Sequence, residues 1–227
     1  MSWDSYNLSL YQINTCDIVQ DSRNRWYACL TVKDCPKQLC GTGSLGIDLG
    51  LKDGATTSKG GKLTIKQILK YAKELAIAQR ADKKKRVQAI HAKIKNTRQD
   101  LIHKFTTQLV KDNALIVVGD IKTTQFNNKK GKLAKSVCDA GWFELKQQLT
   151  YKCKNVGCRC EIVNEKYTTQ TCSCCGDMSS IPKGRAGLGI REWTCAKCGT
   201  WHDRDINAGR NILAVGLDCL VEGTPER

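Results

Sequence analysis

The plainest chemistry in this chain sits in two cysteine pairs, Cys172-x-x-Cys175-Gly and Cys195-x-x-Cys198-Gly, separated by about twenty residues. That spacing is the pattern of two zinc knuckles closing one tetrahedral four-sulfur site. Each glycine lets the chain turn tightly, so that backbone N–H groups can face the thiolates. Four sulfurs leave no open coordination position, so zinc held there is expected to be structural. Cys174 breaks the pattern and competes weakly as a ligand. Cys153, Cys158 and Cys160 lie close enough together to raise a second metal site, but no partner pair follows them. The rest of the 14 cysteines, including Cys16, Cys29, Cys138 and Cys219, read as packing residues.

The acids form a second group. Asp48 stands in GIDLGLKDGA, midway along an apolar strand, where a carboxylate is costly to bury unless it is paired or binds a cation. It is a metal-ligand candidate, whereas Asp53 in LKDG suits a turn. Asp203 and Asp205 fall two apart in HDRDINAGRNI where a helix starts, a place at which acids also serve as caps.

Several elements must position these groups. Residues 9–33 alternate as a β-hairpin, and GTGSLGIDLG reads as linker followed by strand. From Lys62 to Val110 the chain lacks Pro and Gly and repeats apolar residues at helical spacing, which predicts long helix with a break near Ala81–Lys85. Its other face carries Lys83, Lys84, Lys85, Arg86, Lys93, Lys95, Arg98 and Lys104, a stripe suited to phosphate contacts or to plain solvation. Ala114–Val118 (ALIVV) predicts a strand buried on both faces. A helix over Leu133–Leu149, a strand over Cys160–Asn164 and a final helix in DINAGRNILAVGL complete an α/β order. Gln125–Lys135 reads as a polar loop that could also touch nucleic acid.

Composition narrows the partners. Thirty-seven Lys and Arg against 22 Asp and Glu give a net charge of +15, which favours a polyanion. An apolar content of 41% supports a globular core. The sequence contains no apolar run long enough for a membrane span and its first residues do not resemble a signal peptide, so no membrane partner is expected and the location reads as cytoplasmic.

Taken in order, GIDLGLKD, the long basic helical stretch, LIVVGD, EKYTTQTCSCCG, WTCAKCG and HDRDINAGRNI resemble the TnpB family and the related compact type V CRISPR nucleases over roughly residues 9–217. The resemblance implies an RNase H-like (RuvC) mixed sheet with flanking helices and an inserted four-cysteine zinc ribbon. It implies a transposon-associated, RNA-guided DNA endonuclease using two-metal hydrolysis, with DNA and a transposon-encoded guide RNA as partners. Asp48 would be the first catalytic carboxylate and Asp205 the last, with Asp203 as an alternative, together holding Mg²⁺.

Two departures matter. The family usually places Glu at the end of the buried strand, where this chain has Gly119. Asp120 is the nearest acid, but a one-residue offset points it to the other face. Glu165, after the neighbouring strand, is the better candidate to complete the set. Without it, the same fold would be a binding-only DNA or RNA regulator of transposition. The other departure is the N-terminal recognition lobe, of which only a strand or two remains. The chain is then truncated, or split with a separate polypeptide supplying the lobe, or acts without target recognition of its own. The expected division is 1–42 for residual wedge-like strands and linker, 43–167 for the nuclease core, 168–200 for the ribbon, and 201–227 for the C-terminal helix and tail.

Overall fold

The computed structural model describes residues 9, 11–21, 23–33, 39–64, 68, 70–121, 140–178 and 189–221. The polar loop expected at 125–135, the first residues of the helix expected from Leu133, and Cys138 lie outside that set. The chain divides into two compact units, residues 1–38 and 39–227.

The first unit holds the expected hairpin, β1 (Ile13–Gln20) against β2 (Trp26–Val32), antiparallel with Cys16 opposite Leu30 and Gln20 opposite Trp26. Asp21 builds its turn: one carboxylate oxygen accepts the N–H groups of Arg23 and Arg25 at 2.8 and 3.0 Å. Cys16 and Cys29 are exposed, which corrects their reading as packing residues. A two-stranded ribbon has no second layer of its own to bury them.

The second unit is built on a five-stranded mixed sheet in the order β5-β4-β3-β6-β7. β3 (Gly43–Leu49) runs antiparallel to β4 (Ala55–Thr57), which pairs with β5 (Lys62–Leu63). On its other side β3 runs parallel to β6 (Asn113–Gly119), and β6 runs parallel to the edge strand β7 (Arg159–Val163). Sequence periodicity misses β4 and β5, and Lys62–Leu63 is strand rather than the start of a helix. Strands of three and two residues are too short to show alternation, and the Gly60–Gly61 turn between them carries the pairing.

Helix α1 (Tyr71–Arg80) and helix α2 (Lys84–Asp112) are separated by the expected break, where Asp82 adopts φ 46°. Along the basic stripe, Lys83, Lys84, Lys85, Lys93 and Lys95 are exposed. Three other members face acids: Arg86 faces Glu74, Arg98 faces Glu144 and Lys104 pairs with Asp100. Helix α3 (Trp142–Val156) runs seven residues beyond Leu149, ending at Gly157, whose φ of 77° suits a glycine terminator. The Trp142 indole N–H donates to the Gly54 carbonyl at 3.0 Å, fixing α3 to the turn between β3 and β4.

Alternation along the strands sorts the sheet into two faces. Leu45, Ile47, Leu49, Ile116 and Val118 pack with Ile102, Leu145 and Leu149 of α2 and α3 in the main core. Leu115, Val117 and Val163 point the other way, onto Ile212 of helix α4 (Arg204–Val221). Close approach on that side depends on missing side chains. A Cβ on Gly46 would run into the Gly209 carbonyl, and one on Gly209 would stand 2.9 Å from the Ser58 nitrogen.

Candidate active site and metal centre

Face parity decides which acids meet. In β3 the odd positions 45, 47 and 49 enter the core beneath α2 and α3, so Asp48 faces α4. In β6 the positions 115 and 117 face α4, so Gly119 does too, and the register of Ile47 with Val118 sets Asp48 beside it. In β7, Val163 opposite Gly119 faces α4, and Glu165 keeps that parity just past the strand. A Cβ built on Gly119 would lie 2.6 Å from Glu165 Oε2 and 3.2 Å from Glu165 Cβ. The Glu165 side chain therefore occupies the space that a side chain at position 119 would fill.

Asp120 has the opposite parity. Its carboxylate accepts a 2.7 Å hydrogen bond from Lys146 Nζ on α3. Asp205 sits in the first turn of α4, its two carboxylate oxygens each 3.2 Å from Arg191 Nη1. Asp203 is the helix cap: one of its oxygens accepts the N–H groups of Asp205 and Ile206, both at 3.0 Å, and the other faces Lys62 at 3.8 Å. Asp53 lies in the connection between β3 and β4, where Thr64 Oγ1 donates to it at 3.4 Å.

The electrostatics mark Asp48 and Glu165 as costly. Asp48 is only 8% exposed. Burial drives its carboxyl well above the ordinary range, with the negative fields of Asp205 and Glu165 adding to the rise and Arg204 and Arg191 opposing it. Burial likewise lifts Glu165 to about 7, against the pull of Lys146. Glu165 Oε2 is buried with no hydrogen-bond partner. Hard carboxylate oxygens, one of them lacking a partner, fit a divalent oxygen-seeking cation. Among the described residues, however, these three acids do not gather into a cluster as tight as that formed by the cysteines.

That cysteine quartet is Cys172, Cys175, Cys195 and Cys198, whose sulfurs all lie within 4.8 Å of one another. The two knuckles repeat one backbone plan. Gly176 N–H donates to the Cys172 carbonyl at 2.9 Å and Gly199 N–H to the Cys195 carbonyl at 2.8 Å, with φ of 75° and 70° at the two glycines. The Thr200 hydroxyl and backbone N–H hold the Cys198 thiol down to about 6. A converged four-sulfur shell on two knuckles fits a thiophilic metal ion. Cys174 is exposed and outside the quartet.

Sequence reasoning missed the residues that join these two centres. Asn207 and Asn211, one turn apart on α4, each donate from Nδ2 to the carbonyls of Thr168 and Thr171. Asn207 Oδ1 also accepts the Ser173 N–H at 2.9 Å, inside the first knuckle. Thr168 in turn donates its hydroxyl to the Glu165 carbonyl at 2.8 Å. Helix α4, the Glu165 turn and the first knuckle are thus bonded together. His202, at the centre of β9 (Trp201–Asp203), pairs with Trp193 of β8 (Glu192–Thr194), and its Nε2 lies 3.1 Å from Cys172 Sγ. The i,i+4 spacing of the two asparagines was the available signal; His202 was marked only as the first residue of the HDRDINAGRNI motif, with nothing to tie it to the cysteines.

Two family models match successive parts of the chain: one described as "Probable transposase" (OrfB_IS605) over residues 27–129, and one described as "Cas12f1-like, TNB domain" over residues 142–212. A Streptomyces pristinaespiralis protein, named provisionally as an RNA-guided DNA endonuclease, is 37% identical over 89% of this chain and 53% of its own length. InsQ of Escherichia coli K12, with the same provisional description, is 30% identical over 90% of this chain and 57% of its own length. A solved Cas12f1 chain, from a complex with sgRNA and target DNA, superposes with a TM-score of 0.57 at 17% identity, covering 87% of this chain and 55% of that one. Along most of its length the chain therefore resembles transposase-linked and Cas12f1-like proteins. A TnpB-like protein of Acanthamoeba polyphaga mimivirus is also similar, 27% identical over 67% of this chain and 29% of its own length. The chain spans about half the length of the Streptomyces and Escherichia relatives it matches.

Proposed function

We propose that the chain carries the RuvC-type nuclease site of a transposon-associated, RNA-guided DNA endonuclease, with Asp48, Glu165 and Asp205 as its catalytic carboxylates. One observation carries the reading: the Glu165 carboxylate fills the space left by Gly119, on the same sheet face as Asp48. An RNase H-like core fits the mixed sheet, which has its first strand central, its second antiparallel, and its acids on the face covered by the last helix. Residues 43–167 and 201–227 would form that core, 168–200 the ribbon, and 1–42 the wedge-like strands and linker.

The four cysteines would hold zinc as a structural ion. Asp48, Glu165 and Asp205 would hold Mg²⁺, which when bound supplies an activated water and charge neutralisation at a phosphodiester. The chain's own residues do the rest. The Asn207 and Asn211 amides fix the Glu165 turn to the helix bearing Asp205. Asp203 caps that helix and holds its first turn in place. Exposed lysines along α2 provide phosphate contacts for DNA and a guide RNA, whose base pairing supplies sequence specificity. The cytoplasm is the expected location.

The test is cleavage of labelled single-stranded DNA by the purified chain with and without Mg²⁺, beside Asp48→Ala, Glu165→Ala and the double variant Gly119→Glu with Glu165→Ala. Cleavage should need Mg²⁺ and Asp48, vanish in Glu165→Ala and return in the double variant. Mn²⁺ binding, followed by its electron paramagnetic resonance signal, provides an arm independent of turnover. Equal binding by the native chain and by the combined Asp48→Ala, Glu165→Ala variant would remove the site.

A further inference from the structure

The cysteines outside the ribbon are not scattered. Cys153 lies in the last turns of α3, and Cys158 and Cys160 flank the first residue of β7, two apart and so on one face of the strand. That face is the one turned to α2 and α3, opposite to the face bearing Glu165. Cys153 and Cys158 belong to the main core, and Cys160 and Cys40 pack against the same cluster. The helix terminator brings the segments together: the Cys158 N–H donates to the Cys153 carbonyl at 2.9 Å across the left-handed Gly157.

Within this group the Cys153 thiol neighbours both Cys160, its stronger hydrogen-bond partner, and Cys158. The hydrogen bond from Cys153 pulls the Cys160 thiol below its ordinary value, while the Cys153 thiol is driven up. Cys160 is the partly exposed member of the pair and so the sulfur that a small oxidant can reach, whereas Cys153 is 1% exposed. Among the described residues the quartet in the ribbon is the group whose ligand atoms converge for a metal, so this second group is a pair of adjacent thiols rather than a second metal shell.

The geometry points to a reversible dithiol site, in which Cys153 and Cys160 close to a disulfide that ties the end of α3 to the edge strand β7. The oxidant class is a hydroperoxide, with hydrogen peroxide as the simplest member. The Cys160 thiolate attacks a peroxide oxygen, the O–O bond breaks, hydroxide leaves, and Cys160 becomes a sulfenic acid. The Cys153 sulfur then attacks the sulfenic sulfur, the S–S bond forms, and water leaves. In sum, two thiols and one hydrogen peroxide give one disulfide and two waters. A small dithiol reverses the step by thiol exchange. In a reducing compartment such a bond forms transiently, which is the behaviour of a redox-responsive site rather than of a structural staple. The inference does not depend on the nuclease reading.

Trypsin separates the relevant thiols, because Lys152, Lys154 and Arg159 put Cys153, Cys158 and Cys160 on different peptides. The full chain is exposed to hydrogen peroxide, blocked with N-ethylmaleimide, digested and analysed by mass spectrometry. The expected product is Cys153–Lys154 joined to Cys160–Lys166, lighter by two hydrogens than the sum of its parts, and separated again by dithiothreitol. Cys158→Ala should retain that link and Cys153→Ser should lose it. Recovery of Cys153 and Cys160 as separate alkylated or over-oxidised peptides would overturn the proposal, as would a link from either one to Cys158 or Cys40. Because the mapping is done on the native sequence, a variant that fails to fold does not decide the result.

Discussion

The cysteine quartet and the carboxylate group are built by opposite means. The quartet is local: each half is one tight turn with its own glycine, and the two halves repeat the same pair of backbone hydrogen bonds. The candidate carboxylates come from three elements far apart in sequence, and strand alternation puts Asp48 and Glu165 on the face covered by the helix that bears Asp205. A local site can form as soon as its ion binds. A distributed site needs the whole sheet and the helix across it, and it holds its charges at a cost that a cation would relieve.

Breaking the distributed site should have the largest effect. Asp48→Ala is expected to lower Mg²⁺-dependent cleavage by at least about a thousandfold, since it removes several kcal/mol of charge stabilisation. The measurement is single-turnover cleavage, with circular dichroism to confirm the fold. Next, a chelator strong enough to strip the quartet should unfold the ribbon while leaving the five-stranded sheet. Hydrogen exchange should then show loss of protection over residues 168–178 and 191–203, with protection kept in β3 and β6.

Glu165→Gln separates chemistry from stability. It should abolish cleavage, yet raise the melting temperature of the metal-free protein at about pH 8. Burial raises Glu165 to about 7 from an ordinary 4.5, so the stability it lends is complete below 4.5 and is lost as pH rises through about 7. Glutamine is neutral throughout, so the advantage of the variant should disappear at about pH 4. A variant less stable than the native chain at pH 8 would show that the carboxylate is not strained.

The smaller effects test the two neighbouring acids. Asp203→Ala should cost about 1 kcal/mol in urea unfolding, the usual worth of a helix cap, and slow cleavage only as far as the first turn of α4 loosens. Asp120→Asn should change stability by less than about 1 kcal/mol and leave cleavage intact, because its partner Lys146 belongs to the other face.

The same contrast explains what could be read without coordinates. The knuckles, the buried ALIVV strand and the helix break near Asp82 were legible because each is written in contiguous residues. Glu165 was legible only in part. Strand order suggested it and parity favoured it over Asp120, but the fit of its carboxylate into the space at Gly119 is a three-dimensional fact. Asp203 and Asp205 could not be separated by sequence, since both suit a helix start; the cap hydrogen bonds distinguish them. The brief strands β4 and β5 left no periodic trace. Asn207 stood in the HDRDINAGRNI motif, but nothing there showed it as a triple hydrogen-bonding partner.

Both margins of the ribbon are fastened to the same helix. On one side the Thr168 and Thr171 carbonyls and the Ser173 N–H hold the two asparagines of α4; on the other, the Arg204 N–H donates to the Arg191 carbonyl at 2.7 Å. An insert anchored at its two ends presents the host with a fixed footprint. The positions of Glu165 and Asp205 are thus set by the two anchors and not by the cysteine loops between them, which makes the four-cysteine segment mechanically separable from the sheet it is inserted into.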